Sequence, residues 1–237
     1  MSHRPAGCEV SAPTSAKDCC RRSSATTITS ARPHTPRRLL VVSGPSGVGK
    51  GTVVAALVAA RDDIEVATSA TTRPPRAGER DGVHYRFLDE DQFDDLLAAG
   101  EFLEWAEYNG HRYGTPWSSV REGACATIVL EIEVRGARQV RERFSDALLV
   151  FLMPPSIVEL EDRIRRRGAD DEAGLARRLA IAEQELAQAG FFDHLVVNAQ
   201  VDAAVEEIGR ILDGYTGRQC EPSENSPEEL NRYRHDR

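Results

Sequence analysis

Lysine, arginine and carboxylate side chains recur in this chain at spacings that suit phosphate chemistry. The stretch LLVVSGPSGVGKGT, residues 39–52, runs an apolar strand into a glycine-rich loop that ends in Lys50. Backbone N–H groups of such a loop can surround phosphate oxygens at the positive end of the following helix. The lysine adds a mobile charge for the β- and γ-phosphates. The residues expected to do this are Gly44, Pro45, Ser46, Gly47, Val48, Gly49, Lys50, Gly51 and Thr52. The pattern G-x-x-x-x-G-K-[ST] sets a hydroxyl directly after the lysine, where it touches Mg2+. Here that position is Gly51, and the hydroxyl of Thr52 comes one residue late. Either the loop binds no nucleotide, or the metal is managed differently. Mg2+ dehydrates reluctantly and often keeps several waters, so a direct protein ligand is not obligatory.

Further along, TTRPPR sets Arg73 and Arg76 around a stiff Pro-Pro pair. Two guanidiniums held in this way suit a dianionic phosphate, which arginine can grip in a forked geometry. Arg163 and Arg167 are four apart on one helix face, and Arg178 follows on the next helix. Three converging arginines are unfavourable without an anion to neutralise them. In TIVLEIE, alternation sets Val129, Glu131 and Glu133 on one face and Ile128, Leu130 and Ile132 on the other. Carboxylates at the carboxyl end of a parallel strand lie where α/β sheets open their ligand crevice. A core-facing glutamate pair without partners would be costly, which favours a metal or ligand role.

These groups need a scaffold, and the chain is long enough for one. Its 237 residues, 41% hydrophobic and 29% charged, suit one good-sized globular α/β domain with inserted subdomains. A net charge of −8 argues against a general nucleic-acid surface but leaves room for local basic pockets. No apolar run approaches a membrane span. Four of the five cysteines (Cys8, Cys19, Cys20, Cys220) lie near the ends, and their spacing suits neither a disulfide framework nor zinc. Reduced thiols in a cytoplasmic protein are expected.

Residues 1–36, rich in Ser, Thr, Ala, Pro and Arg, read as a disordered extension, since they cannot bury enough apolar surface to offset their ordering entropy. They lack the apolar core of a secretory signal. Their Arg/Ser content fits a transit peptide, against which Glu9 and Asp18 count. Residues 214–237 read as a flexible tail. Between them, strands are expected at 38–42, 84–87, 127–133, 147–153 and 194–198. Helices are expected at 51–61, 91–100, 136–144, 156–167, 174–190 and 201–213. A hairpin over 101–114 turns at Asn109-Gly110, a type I′ pair. Strands alternating with crossover helices indicate a mainly parallel sheet. The hairpin-rich stretch 69–120 interrupts that alternation and reads as an insert.

The G-K-G-T ending resembles that of adenylate kinases and their relatives. SATTRPPRAGERDGVHYRF (69–87), followed by GEFLEWAEYNGHRYGT (100–115), closely resembles guanylate kinases, which phosphorylate GMP with ATP. The resemblance runs over about residues 38–213 and rests on several separate motifs in the right order. It implies the P-loop nucleoside monophosphate kinase fold: a parallel core (37–68, 121–155 and 191–213), a GMP-binding insert of mixed sheet (69–120) and a helical lid (156–190). Its implied substrates are ATP and GMP, with Mg2+ as cofactor. No nucleic-acid or membrane partner is implied, and the oligomeric state stays open.

Residue by residue, the resemblance implies that Arg73, Arg76, Tyr85 and Tyr113 hold the GMP phosphate. It assigns the guanine contact to Glu104, aided by Ser69 and Thr115, where serine is the commoner residue at the position of Thr115. One carboxylate can accept from guanine N1–H and N2–H₂ side by side, whereas adenine shows no such donor pair. Glu79 matches a further GMP-pocket position. Glu131 and Glu133 fall at the family's carboxylate positions and are expected in the GMP site, although Asp is usual at 133. Arg163, Arg167 and Arg178 look like the lid arginines, with Asn198 on the adenine side and Ala199 in place of a usual acidic residue. Lys50, Arg73 and the lid arginines are the expected catalytic groups, and Thr52 and Glu133 are expected to reach the metal through water. A partner-binding guanylate-kinase-like module is the alternative from another class. Such modules tend to lose the phosphate loop or lid arginines, and both remain here.

Overall fold

Uninterrupted apolar runs make the buried strands. The computed structural model describes residues 38–121, 125–166 and 172–215, with only the backbone described at 172 and 173. The expectations for residues 1–36, for the tip of the lid and for Arg167 lie outside the described residues. In chain order the elements are β1 (Arg38–Ser43), α1 (Lys50–Ala60), β2 (Ile64–Val66), β3 (Ala70–Thr71), β4 (Arg86–Phe87), α2 (Glu90–Ala98), β5 (Phe102–Tyr108), β6 (His111–Pro116), α3 (Trp117–Arg121), β7 (Thr127–Glu131), α4 (Val134–Arg143), β8 (Leu148–Met153), α5 (Ile157–Arg166), α6 (Glu172–Leu186), β9 (His194–Val197) and α7 (Val201–Gly214).

Five strands form one parallel sheet in the order β2-β7-β1-β8-β9. Period-2 alternation divides β1 between two apolar layers. Leu40 and Val42 pack with side chains of α1, α5, α6 and α7, while Leu39 and Val41 pack with Val134, Ala137 and Val140 of α4. Burial on both faces explains why these strands read as continuous apolar runs.

The second sheet, in the order β4-β3-β6-β5, is mixed: β3 runs parallel to β4 and antiparallel to β6, which pairs antiparallel with β5. The hairpin turns where expected, with Asn109 at φ 50° and Gly110 at φ 77°, the two left-handed residues a type I′ turn demands. Asp89 closes a capping box with Gln92 at the start of α2. Phe93 of that helix stacks on Phe102 with ring centroids 4.5 Å apart.

Helix α4 covers the outer edge of β5. Gln139 accepts the Trp105 N–H at 3.2 Å and donates to its carbonyl at 2.6 Å. Arg143 donates to the carbonyls of Phe102 and Leu103. Edge-strand groups that would face solvent are thereby satisfied.

Several boundaries differ from expectation, and the helix expected at 174–190 ends at Leu186. Strand β7 stops at Glu131, and Glu133 is the extended N-cap of α4 (φ −79°, ψ 164°). The alternation that put Glu131 and Glu133 on one strand face therefore fails at its last position. The expected strand 84–87 narrows to Arg86–Phe87. Helix α7 runs through Gly214, one residue past the expected end, and the Tyr215 hydroxyl donates to the Asp146 carbonyl at 2.5 Å.

Candidate active site

The carboxyl ends of β1 and β7, the loop after β1 and the inner face of the small sheet enclose a cleft of about 390 Å³. Its floor is the phosphate loop. Gly44, Gly47 and Gly49 adopt φ of 149°, 87° and 100°, conformations that side chains oppose and that let the backbone curl around a small anion. The Val48 N–H donates to the Pro45 carbonyl at 3.1 Å, and Val48 itself is buried beneath the loop. Lys50 begins α1 and donates to the Gly44 carbonyl at 2.6 Å and to Glu133 Oε2 at 3.4 Å. Burial alone would lower the Lys50 pKa, but the Glu133, Glu185 and Glu131 carboxylates outweigh it and hold the ammonium above its ordinary value.

A side chain at residue 51 would project toward Glu131: a Cβ there would sit 3.5 Å from both carboxylate oxygens. The usual hydroxyl after the lysine is thus replaced by space facing a carboxylate, and Thr52 is exposed beside it.

Glu104 closes the opposite end of the cleft. It is 3% exposed and lies opposite Thr115 on the β5–β6 ladder. The Thr115 hydroxyl donates to Glu104 Oε1 at 2.7 Å, and Ser69 Oγ stands 3.4 Å from Thr115 Oγ1. Burial pushes the Glu104 carboxyl up to about 7, against the opposing pull of the Thr115 hydrogen bonds and the Arg143 charge. Thr115 is behind the carboxylate, and Ser69 reaches the cleft itself.

Arg73, Arg76, Tyr85 and Tyr113 line the wall between these ends. The Arg73 guanidinium forms a forked pair with Glu79, both contacts at 2.9 Å, and donates to the Pro74 carbonyl at 2.7 Å. It lies over the Tyr85 ring, 5.5 Å from the centroid. Glu79 also accepts the Arg76 N–H at 2.7 Å. Glu79 therefore stands behind the arginines and does not line the cleft. Hydrogen bonding to Arg73 holds its carboxyl below the usual carboxylate range.

The two described lid arginines, Arg163 and Arg178, line different hollows. Arg178 reaches the cleft and donates to Ser46 Oγ at 3.1 Å. Arg163 faces a second hollow on the far side of the loop, shared with Thr52, Asn198 and Ala199. Its guanidinium binds Glu159 at 3.0 Å and the carbonyls of Val48 and Asn198 at 3.1 Å each. The Asn198 side chain donates to the Val48 carbonyl at 2.8 Å.

Two cleft neighbours went unnoticed in the sequence. Tyr108 of β5 lines the cleft near Ser46, and burial raises its phenol above the ordinary value. Glu185 of α6, 6% exposed, accepts the Ser46 N–H at 3.3 Å. Burial, then the nearby Glu133 carboxylate, raises the Glu185 pKa, with Lys50 opposing. Tyr108 lies within the stretch 100–115, where nothing in the spacing points it at the loop, Glu185 lies in no recognisable motif, and only folding brings either to the loop. Among the described residues, no helix is long and apolar enough to cross a membrane.

Comparison with known proteins agrees with this layout. The family model described as guanylate kinase matches residues 36–215. A guanylate kinase of Synechococcus sp. is 53% identical over 173 residues, covering 72% of this chain and 92% of its own. That of Prochlorococcus marinus subsp. pastoris is 46% identical over 178 residues, covering 74% and 97%. The crystal structure of guanylate kinase from Anaplasma phagocytophilum superposes with a TM-score of 0.64 at 28% identity, covering 84% of this chain and 96% of that one. Agreement of sequence and fold over the same stretch shows that the chain belongs to the guanylate kinase family, whose members share the P-loop nucleoside monophosphate kinase fold.

Proposed function

We propose that the cleft holds ATP on the phosphate loop and GMP against the small sheet, with the two phosphate chains meeting above Lys50. The chain is a nucleoside monophosphate kinase that transfers the γ-phosphoryl group of ATP to GMP, giving ADP and GDP, a step of purine nucleotide metabolism. The observation that carries the assignment of roles is the buried Glu104 carboxylate at one end of a cleft whose other end is a phosphate loop.

GMP enters with guanine N1–H and N2–H₂ donating to Glu104, whose orientation Thr115 and Ser69 maintain. Its phosphate meets Arg73, Arg76, Tyr85 and Tyr113. Glu79 holds Arg73 in place. An oxygen of the GMP phosphate attacks the γ-phosphorus in line, the bond to the β–γ bridging oxygen breaks, and ADP leaves. The protein contributes positioning and charge stabilisation, and no covalent enzyme intermediate is needed. Lys50 and Arg178 offset charge on the transferring group. Arg163, Arg167 and Asn198 serve the ATP side.

Thr52, Glu131 and Glu133 offer oxygen donors around Gly51, the ligand type Mg2+ takes, directly or through water. Among the described residues no cluster of three acidic or imidazole groups forms a complete cage, which suits a cation shared with the ATP phosphates. Held there with ATP, Mg2+ would supply positive charge to offset that of the phosphates. Core, GMP-binding insert (69–120) and lid (156–190) are the proposed working parts, and cytoplasmic GMP recycling is the proposed setting.

Coupled ADP release with ATP, Mg2+ and GMP tests this reading. Turnover in the unaltered chain and its loss in Lys50→Met are expected. GMP binding without any turnover would favour a partner-binding module instead.

A further inference from the structure

Glycine at position 136 has a neighbour that no side chain could share space with. It lies in the first turn of α4, where a Cβ would overlap Glu104 Oε2 outright and stand 3.0 Å from Glu104 Cδ. Glu104 cannot withdraw into the protein, since it is 3% exposed and Thr115 holds its other oxygen at 2.7 Å; the space beside it is the cleft it lines. The helix cannot slide away either. Gly136, Gln139 and Arg143 are three and four residues apart and so share one helix face. Gln139 and Arg143 fasten that face to the β5 backbone at Trp105, Phe102 and Leu103. Only the missing side chain lets a full-length carboxylate lie flat between α4 and the β5–β6 hairpin.

From this geometry we infer that Gly136 is a positioning residue for base selection: its bare backbone sets where the Glu104 carboxylate points, and so sets the preference for a guanine nucleotide. The inference rests on the reading of Glu104 as the group that contacts the base. Gly136 touches no substrate. Placing a methyl group there pushes the carboxylate toward the cleft and turns its oxygens off the guanine edge. A misplacement of about 1 Å at such a contact can cost about 10²-fold.

The test is a set of variants assayed for GMP and AMP use in full-length protein, with thermal midpoints recorded. Gly136→Ala is expected to raise KM for GMP by about ten- to a hundredfold and to erode the GMP:AMP preference, leaving KM for ATP within about twofold. In a Glu104→Ala background the same change is expected to have no further effect on GMP. There the thermal midpoint should hold or rise, because alanine is the better helix former. Gly136→Ala combined with Glu104→Asp, whose carboxylate is one methylene shorter, is expected to regain part of the preference. This double variant also supplies the readout if Gly136→Ala alone fails to fold.

Failure of the parts can be told apart. If Glu104→Ala leaves the GMP:AMP ratio unchanged, the base-reading role and this inference both fall. If Glu104→Ala changes the ratio but Gly136→Ala does not, only the inference falls. It also falls if Gly136→Ala costs the same factor with and without Glu104, or if the Glu104→Asp combination brings no recovery.

Discussion

Thr115 donates to Glu104 at 2.7 Å across the β5–β6 ladder, where both side chains are buried. The carboxylate is thereby aimed while its pKa stands near 7. In the proposed reading its ionised form accepts two donors from guanine; protonated, it loses that pairing. For the empty enzyme, kcat/KM for GMP is therefore expected to fall as pH drops through about 7. The GMP phosphate also titrates, near 6, so the measurement compares pH profiles of the unaltered protein and Glu104→Gln. The step near 7 should vanish in the variant while the lower one persists. Linkage gives the opposite sign for stability. A carboxyl whose folded pKa is raised from 4.5 to about 7 favours the fold at low pH and loses that contribution as pH rises through 7.

Thr115→Val removes the aiming hydroxyl at nearly constant volume. Since that hydrogen bond lowers the Glu104 pKa, its loss should shift the GMP pH profile to higher pH. KM for GMP should rise about tenfold, the size of one hydrogen bond to a charged group. Steady-state kinetics at several pH values checks both.

Glu79 pairs with Arg73 at two points of 2.9 Å. Glu79→Ala leaves an 8%-exposed guanidinium without its main partner. A fall in thermal midpoint of about 4 °C or more is expected, with KM for GMP raised and KM for ATP little changed. Calorimetry and kinetics on the same preparation would show it.

Glu185 and Arg178, seven residues apart on α6, hold the N–H and hydroxyl of Ser46. Glu185→Ala is expected to loosen the phosphate loop and raise KM for ATP about tenfold, with KM for GMP within about twofold. Equal changes for both substrates would show that Glu185 does not act through the loop.

What the sequence revealed divides along physical lines. The phosphate loop, the arginine pair and the hairpin turn are local patterns whose chemistry lies in adjacent residues, so Lys50, Arg73 and Asn109-Gly110 could be read directly. Glu133 misled because apolar alternation continues through TIVLEIE while the backbone leaves the strand after Glu131 to cap α4. Strands β2 and β3, of three and two residues, are too short to show a period. The pairing of Ser46 with Glu185 spans 139 residues, and the contact of Gly136 with Glu104 exists only once α4 lies on β5. Such relations belong to packing, which one-dimensional spacing does not encode.

One buried carboxylate, Glu104, is the proposed source of guanine selectivity in this kinase. The direct measurement is coupled ADP release with ATP, Mg2+ and either GMP or AMP, for the unaltered protein and Glu104→Gln. GMP should be preferred by a factor of about 10³ or more in kcat/KM, since a site built for a base's donors leaves a buried charge unpaired with any other. That preference should collapse in Glu104→Gln with KM for ATP unchanged. Comparable turnover of AMP and GMP by the unaltered protein, or an undiminished preference in the variant, would show that Glu104 does not select the base.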